Sequence, residues 1–369
     1  MRYRIEKDSL GEKIIPAEAY YGINSLRSKE AFEITKHGLC RQNIKALANI
    51  KKAQAKINHE FKLLDHKKSE AIMLSCDEIL NGRLHGQFIT DSVQDGYGFG
   101  MNINACEVIA NRANEMIGGD KGKYDKVSVE DVDMCQDVDE VIALTGKMTA
   151  NRLLKKLVAE GKKLLNAYLD LSNKIEDISL KEQVLSFSEI LEKDLKKLEK
   201  NMSTLMEISY GKNVNIENEE EKDEYLKRFV KSLNSIATEK FVLSKNQYVS
   251  SRNLDCFMNV SSSLKNMMVD ISRSAVDLKL IVKSGKLSLP VIEVLNKVDE
   301  NTVVLDVVKQ ISYYIIGNDL TISRCVEDGE LDTNILKPMI FACLFESSNL
   351  VRRTIRMIRE KVIEIIEVK

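Results

Sequence analysis

The sequence predicts a mostly α-helical protein built around a bundle of long helices, and three observations carry that prediction. Apolar residues recur at helical spacing over three long stretches. Helix-breaking proline is confined to Pro16, Pro290 and Pro338, so the span from 17 to 289 contains none. The composition, 44% hydrophobic and 30% charged, is that of a folded chain rather than a disordered one.

The stretches follow in order. Leu154, Leu157, Val158, Leu164, Leu165, Tyr168 and Leu169 recur at steps of three and four. Leu191, Leu195, Leu198, Met202 and Leu205 form a heptad seam. Phe257, Val260, Leu264, Met267, Met268, Ile271, Ala275, Leu278 and Val282 make the third stripe, whose methionines read as gap-filling core. Each stripe needs a partner helix to cover it, which is the logic of a bundle. Gly118, Gly119 and Gly122 mark a turn before the helical body, and the acidic run 211–224 reads as a solvated loop between helices.

Composition also excludes function classes. Lys and Arg total 55 against 56 Asp and Glu, so no basic surface for nucleic acid or anionic membrane is expected. The start, Met1 to Asp8, has no apolar stretch of a secretory signal, and no run reaches the ~20 residues of a membrane span. A cytoplasmic location is the expectation. Seven scattered cysteines without a CxxC pair predict reduced, mostly buried thiols. His37, His59, His66 and His85 lack metal-binding spacing, so neither metal nor cofactor is expected.

Several motifs then agree in order. Arg4-Ile-Glu-Lys-Asp-Ser-Leu-Gly runs into Pro16-Ala-Glu-Ala-Tyr-Tyr-Gly22. Cys76-Asp-Glu-Ile-Leu-Asn-Gly, Asp91-Ser-Val-Gln-Asp-Gly96 and Asn102-Ile-Asn104-Ala-Cys-Glu107-Val-Ile-Ala-Asn-Arg112 come next. Ile316-Gly-Asn-Asp319, Gly329-Glu-Leu-Asp-Thr-Asn334 and Pro338 close the series. Together they resemble the aspartase/fumarase superfamily, and within it the aspartate ammonia-lyases. The resemblance implies an N-terminal domain over residues 1–125 and a central long-helix bundle over 126–369. It implies a homotetramer or other homo-oligomer assembled through the bundle, with active sites shared among subunits. The small C-terminal domain of active members is expected to be absent, since the sequence stops at Lys369.

The family's reaction removes a proton from carbon and must hold a dianionic intermediate with many aimed donors. Here the matching segments depart from the pattern. The family's Gly-Thr-Ser-Thr-Asn-Met-Asn is replaced by Gly98, Phe99, Gly100, Met101, Asn102, Ile103 and Asn104, which keeps the two Asn and loses the hydroxyls. Ser-Thr-Asn of the second segment becomes Asp137, Val138 and Asp139. A carboxylate about 4 Å from a substrate carboxylate repels it by roughly 4 kcal/mol at an effective dielectric near 20. The third segment has no counterpart before Phe187. The Gly-Ser-Ser loop that carries the family's catalytic serine is missing between Pro290 and Ile316, with Lys297 and Asn301 as relics of its Lys and Asn and Thr302 the nearest hydroxyl.

No intact catalytic set is therefore expected. The vestigial substrate-site candidates are Asn102, Asn104, Asp137, Asp139, Lys297 and Asn301. The segment carrying Asp131, Asp133, Asp137, Asp139 and Glu140 is expected as a solvated acidic loop, with a cation- or amine-binding site as the alternative. The functional expectation is a non-catalytic structural or regulatory subunit or binding protein, with a hetero-oligomer with an active paralogue among its assemblies. The alternative is an active lyase of altered specificity, releasing ammonia or an amine from aspartate or a related amino-succinate to give fumarate.

Overall fold

The computed structural model describes residues 2–290, 302–331 and 333–369. Among these the chain forms twelve α-helices and three two-stranded sheets. In order they are β1 (Tyr3–Asp8), β2 (Gly11–Pro16), α1 (Ile23–Ala31), α2 (Arg41–Glu60), α3 (His66–Leu80), α4 (Phe99–Met116), α5 (Val129–Asp133), α6 (Val138–Lys174) and α7 (Ile178–Met202). There follow β3 (Glu207–Ile208), α8 (Glu219–Ala237), β4 (Val242–Leu243), α9 (Gln247–Arg252), α10 (Asp255–Lys283), β5 (Leu287–Ser288), α11 (Val303–Glu327), α12 (Lys337–Ile358) and β6 (Glu367–Val368). No helix among the described residues is long and apolar enough to cross a membrane.

The chain divides into two compact units. The first holds Met1–Thr149, Met206–Leu254 and Asp328–Ala342, and the second Ala150–Leu205, Asp255–Glu327 and Cys343–Lys369. The expected boundary at residue 125 falls inside the first unit. The reason is local: α5 packs on α4 and α2, and Lys51 of α2 reaches Asp133 at the end of α5 with an ion pair of 2.5 Å.

In the first unit, β1 and β2 form an antiparallel hairpin with Ile5 opposite Ile14. α2 packs on α3 and α8, while α4 packs on α1, α3 and α5. A carboxylate ties this unit together. Glu107, fully buried on α4, accepts hydrogen bonds from the N–H groups of Gly22, Asn24 and Ser25 at the start of α1. The Asn24 amide and the Ser25 hydroxyl also donate to it. It thereby satisfies the open end of α1 and its positive dipole.

The acidic run 211–224 corrects the sequence expectation, because it is a loop only as far as Asn218. The Asn218 side chain accepts from Glu220 N and Glu221 N and so caps α8. Glu219, Glu220 and Glu221 then fill the first turn, where negative charge suits the helix dipole.

The second unit contains the predicted stripes. α10 packs against α7 on one side and α11 on the other. Leu191, Leu195 and Leu198 of α7 and Val260, Leu264, Met267 and Met268 of α10 are buried as expected. Leu169 is exposed, since it sits about 100° round the helix from buried Tyr168, and Ile281 rather than Val282 ends the α10 stripe.

One contact across the α7–α10 seam is unfavourable. Burial and the neighbouring Asp270 carboxylate push the Asp194 carboxyl up to about 6, while Lys197 works the other way. A carboxyl whose folded pKa is raised binds more protons folded than unfolded, so stability falls as pH rises from about 4 to about 6. Asp194→Asn is expected to raise stability at neutral pH by about 1 kcal/mol, after allowance for solvent screening at this half-exposed site, and to leave it unchanged near pH 4. Thermal melts of both proteins across that pH range measure the difference.

Candidate functional site

The segment Gly98–Asn104 lies at the start of α4. Phe99 is half-exposed, whereas Met101, Asn102 and Asn104 are buried. The helix start is capped from within, as Gly100 N donates to Asp95 Oδ1 at 3.0 Å. A Cβ at Gly100 would collide with Ser28 Oγ and lie 2.7 Å from Gln94 Oε1, so a larger residue there requires these two side-chain ends to turn aside. Asn104 is committed to the loop before α4: its amide donates to Gln87 O at 3.0 Å and its carbonyl accepts from Ile89 N at 2.8 Å. Asn102 donates to both Asp133 oxygens at 3.2 and 3.3 Å, and its own Oδ1 is buried without a hydrogen-bond partner.

The segment Asp131–Glu140 is neither a solvated loop nor a single cluster aimed at a cation. Short helices and caps use each carboxylate separately. Asp131 completes a capping box with Ser128 on α5 and pairs with Lys68 at 2.7 Å. Asp133 accepts from Lys51, whose side chain is fully buried. Burial works against both charges of that pair, but their mutual attraction wins, so the Lys51 ammonium is held above its usual range and the Asp133 carboxyl below. Cys106 shares the pocket, and burial pushes its thiol up to about 12. Asp137 precedes α6 and accepts from Glu140 N at 3.2 Å. Asp139 pairs with Lys337, the first residue of α12. Glu140 accepts from Gly211 N at 2.8 Å and Lys212 N at 3.1 Å, and burial raises its pKa despite these bonds.

The cavity beside this segment is lined by Asp139, Glu140, Lys147 and three serines together with the apolar Ala143, Leu144 and Ile208. It measures about 10 Å³, room for one water.

The structure thus brings Asn102 together with Asp133, and Asp139 together with Lys337, while Asn104 and Asp137 are spent on loop and cap. Lys297 and Asn301 lie outside the described residues. Thr302 is described, and its backbone carbonyl accepts from Leu305 N at the start of α11.

Sequence reasoning missed Lys51, Gln54, Asn58, Asp95 and Lys337. Lys51, Gln54 and Asn58 of α2 are all buried, and they meet Asp133, Tyr210 and Tyr225. Their signal was available: they continue the stripe begun by Ile44 and Leu47, so polar residues stand where apolar ones are due. Lys337 carried a signal too. A cation in the first turn of a helix opposes its dipole and implies a nearby anion.

The fold is that of a long-helix protein of the fumarate lyase kind. It aligns with a crystal structure of fumarate lyase:delta crystallin from Brucella melitensis at a TM-score of 0.91 and 29% identity, covering 100% of this chain and 89% of that one. It also shares the fold of class II fumarase from Schistosoma mansoni, with a TM-score of 0.90 at 20% identity over 100% and 85% of the two chains. Residues 11–294 match the family model described as Lyase, and the chain belongs to that family, within the aspartase/fumarase superfamily. It is 32% identical to the aspartate ammonia-lyase of Bacillus subtilis (strain 168), over 99% of this chain and 82% of that protein. The aspartate ammonia-lyase of Escherichia coli (strain K12) is 28% identical over 98% and 81%.

Proposed function

We propose that this chain is an aspartate ammonia-lyase-like protein that keeps the helical scaffold and does not itself carry out elimination, acting as a structural or regulatory subunit or a binding protein. One observation carries the reading. The donors and cations beside the segments that resemble the family's substrate site are already taken by the chain's own carboxylates: Asp139 on Lys337, Asp133 on Lys51 and Asn102, and Asp95 on the start of α4. A dicarboxylate approaching these segments would meet carboxylates in place of free donors. The sequence adds that no serine stands between Pro290 and Asn301.

The names of the relatives favour the second reading, an active carbon–nitrogen lyase acting on aspartate or a related amino-succinate with altered specificity. The acidic residues Asp137 and Asp139, two apart in the chain, support an amine-bearing substrate in that case.

Under either reading assembly is proposed through the bundle, as a homotetramer or other homo-oligomer, or as a hetero-oligomer with an active paralogue. Exposed Val269, Val276 and Leu280 on α10 and Tyr313, Ile316 and Leu320 on α11 support a buried face there.

Fumarate formation from aspartate, followed in the ultraviolet, decides between the readings. The rate is expected at least about 10³-fold below that of the Bacillus subtilis relative, since losing one preorganised donor alone costs roughly 10²–10³. Turnover within tenfold of that relative would establish the lyase instead. Native mass, alone and mixed with an active relative, reads the assembly in the same samples.

A further inference from the structure

Lys337 is the one fully buried ammonium placed in the first turn of its own helix among the ion pairs described, and its side chain is 0% exposed. The N-terminal N–H groups of α12 already make that end positive, so an added cation is doubly unfavourable without an anion. Asp139 supplies it, from the first turn of α6, with a side chain only 10% exposed. The ammonium of one helix's first turn is thus paired with a carboxylate from the first turn of another. The other acidic groups of the segment hold hydrogen bonds of their own: Asp137, which also faces Lys337, accepts from Glu140 N, and Glu140 accepts from the Gly211 and Lys212 N–H groups. Burial draws the Lys337 pKa below its ordinary range, and Asp139 only partly offsets that, so the charge of Lys337 depends on this partner.

We propose that Lys337 and the first turns of α6 and α12 form a carboxylate-binding locus, filled from within by Asp139, which accepts a free monocarboxylate of formate or acetate size when the Asp139 carboxylate is removed. The inference rests on the non-catalytic reading and deepens it: the locus carries its own pseudo-ligand and has no carboxylate contact left for a substrate. The removed group and the added ligand have the same charge and the same planar pair of acceptor oxygens, which is why rescue is expected.

The test is thermal unfolding of the full chain at constant ionic strength, with sodium formate or acetate replacing sodium chloride. Asp139→Ala is expected to melt below the parent and to regain roughly 2–4 °C, saturably, as formate is added. The parent and the Lys337→Met/Asp139→Ala double variant are expected to show no such gain. No carboxylate-specific gain in Asp139→Ala, or an equal gain in all three proteins, overturns the proposal.

Should Asp139→Ala fail to fold, Asp139→Asn keeps the shape without the charge. Its stability relative to the parent is then expected to rise as pH increases toward the ordinary lysine range, because a lysine with a lowered folded pKa binds fewer protons folded than unfolded. The other charges facing Lys337 are Lys212 and Asp137, and both are present in the parent as well. A difference that stays flat over that range overturns the proposal. None of these readouts involves aspartate turnover, so failure here and failure of the non-catalytic reading are separately visible.

Discussion

Replacing Glu107 with alanine is expected to destabilise the first unit by about 3–5 kcal/mol, enough to unfold it under conditions in which the parent is folded. Three backbone N–H groups, the Asn24 amide and the Ser25 hydroxyl lose their common acceptor at once. A buried donor left without a partner costs about 1–3 kcal/mol, and the exposed Asn24 side chain can turn to water, which sets the total. The start of α1 also loses the negative charge that complements its dipole. Glu107→Gln keeps the volume but offers one acceptor oxygen and points two new donors at existing ones, so it is expected to recover little. Urea denaturation followed by circular dichroism reads both variants. A loss below about 1 kcal/mol for Glu107→Ala would mean that α1 finds its acceptors elsewhere.

Lys337→Met carries the second large effect. It leaves Asp139 buried beside the start of α12 without its cation, and breaking a buried pair from one side costs about 3–5 kcal/mol. The companion Lys337→Met/Asp139→Val replaces both charges with apolar groups and is expected to return to within about 1–2 kcal/mol of the parent, because the pair's attraction largely repays its own desolvation. Single and double variants measured together give the coupling directly. If the single variant is as stable as the parent, the pair does not hold the start of α12 to α6. Close approach of the backbone matters at the same junction. Gly146 of α6 faces the Phe341 ring of α12 so closely that a Cβ would collide with it, so the charged pair sits beside a tightly packed crossing.

The sequence by itself determined the helical class, the apolar seams of α6, α7 and α10, and the family. These are properties of local periodicity and of motif order, and both are written along the chain. It also places Phe99, Gly100 and Met101 ahead of Asn102, and acidic residues at 137 and 139. What those acidic residues do was decided only by tertiary structure. Read alone, Asp131 to Glu140 is a run of charge, and a run of charge ordinarily faces water. Folding sends each carboxylate to a different donor: a capping box, a buried lysine of α2, a helix start, the first lysine of α12 and two backbone N–H groups. Asp139 and Lys337 are remote in sequence, and no local pattern links them. Lys51 shows the same limit from the other side: its place in the α2 stripe marks it for burial, but nothing local names Asp133 as its partner. Burial of a charge depends on where its counter-charge arrives in space. Desolvation makes that arrival a condition of folding, which is why the scaffold was legible in the sequence and the pairing of these carboxylates was not.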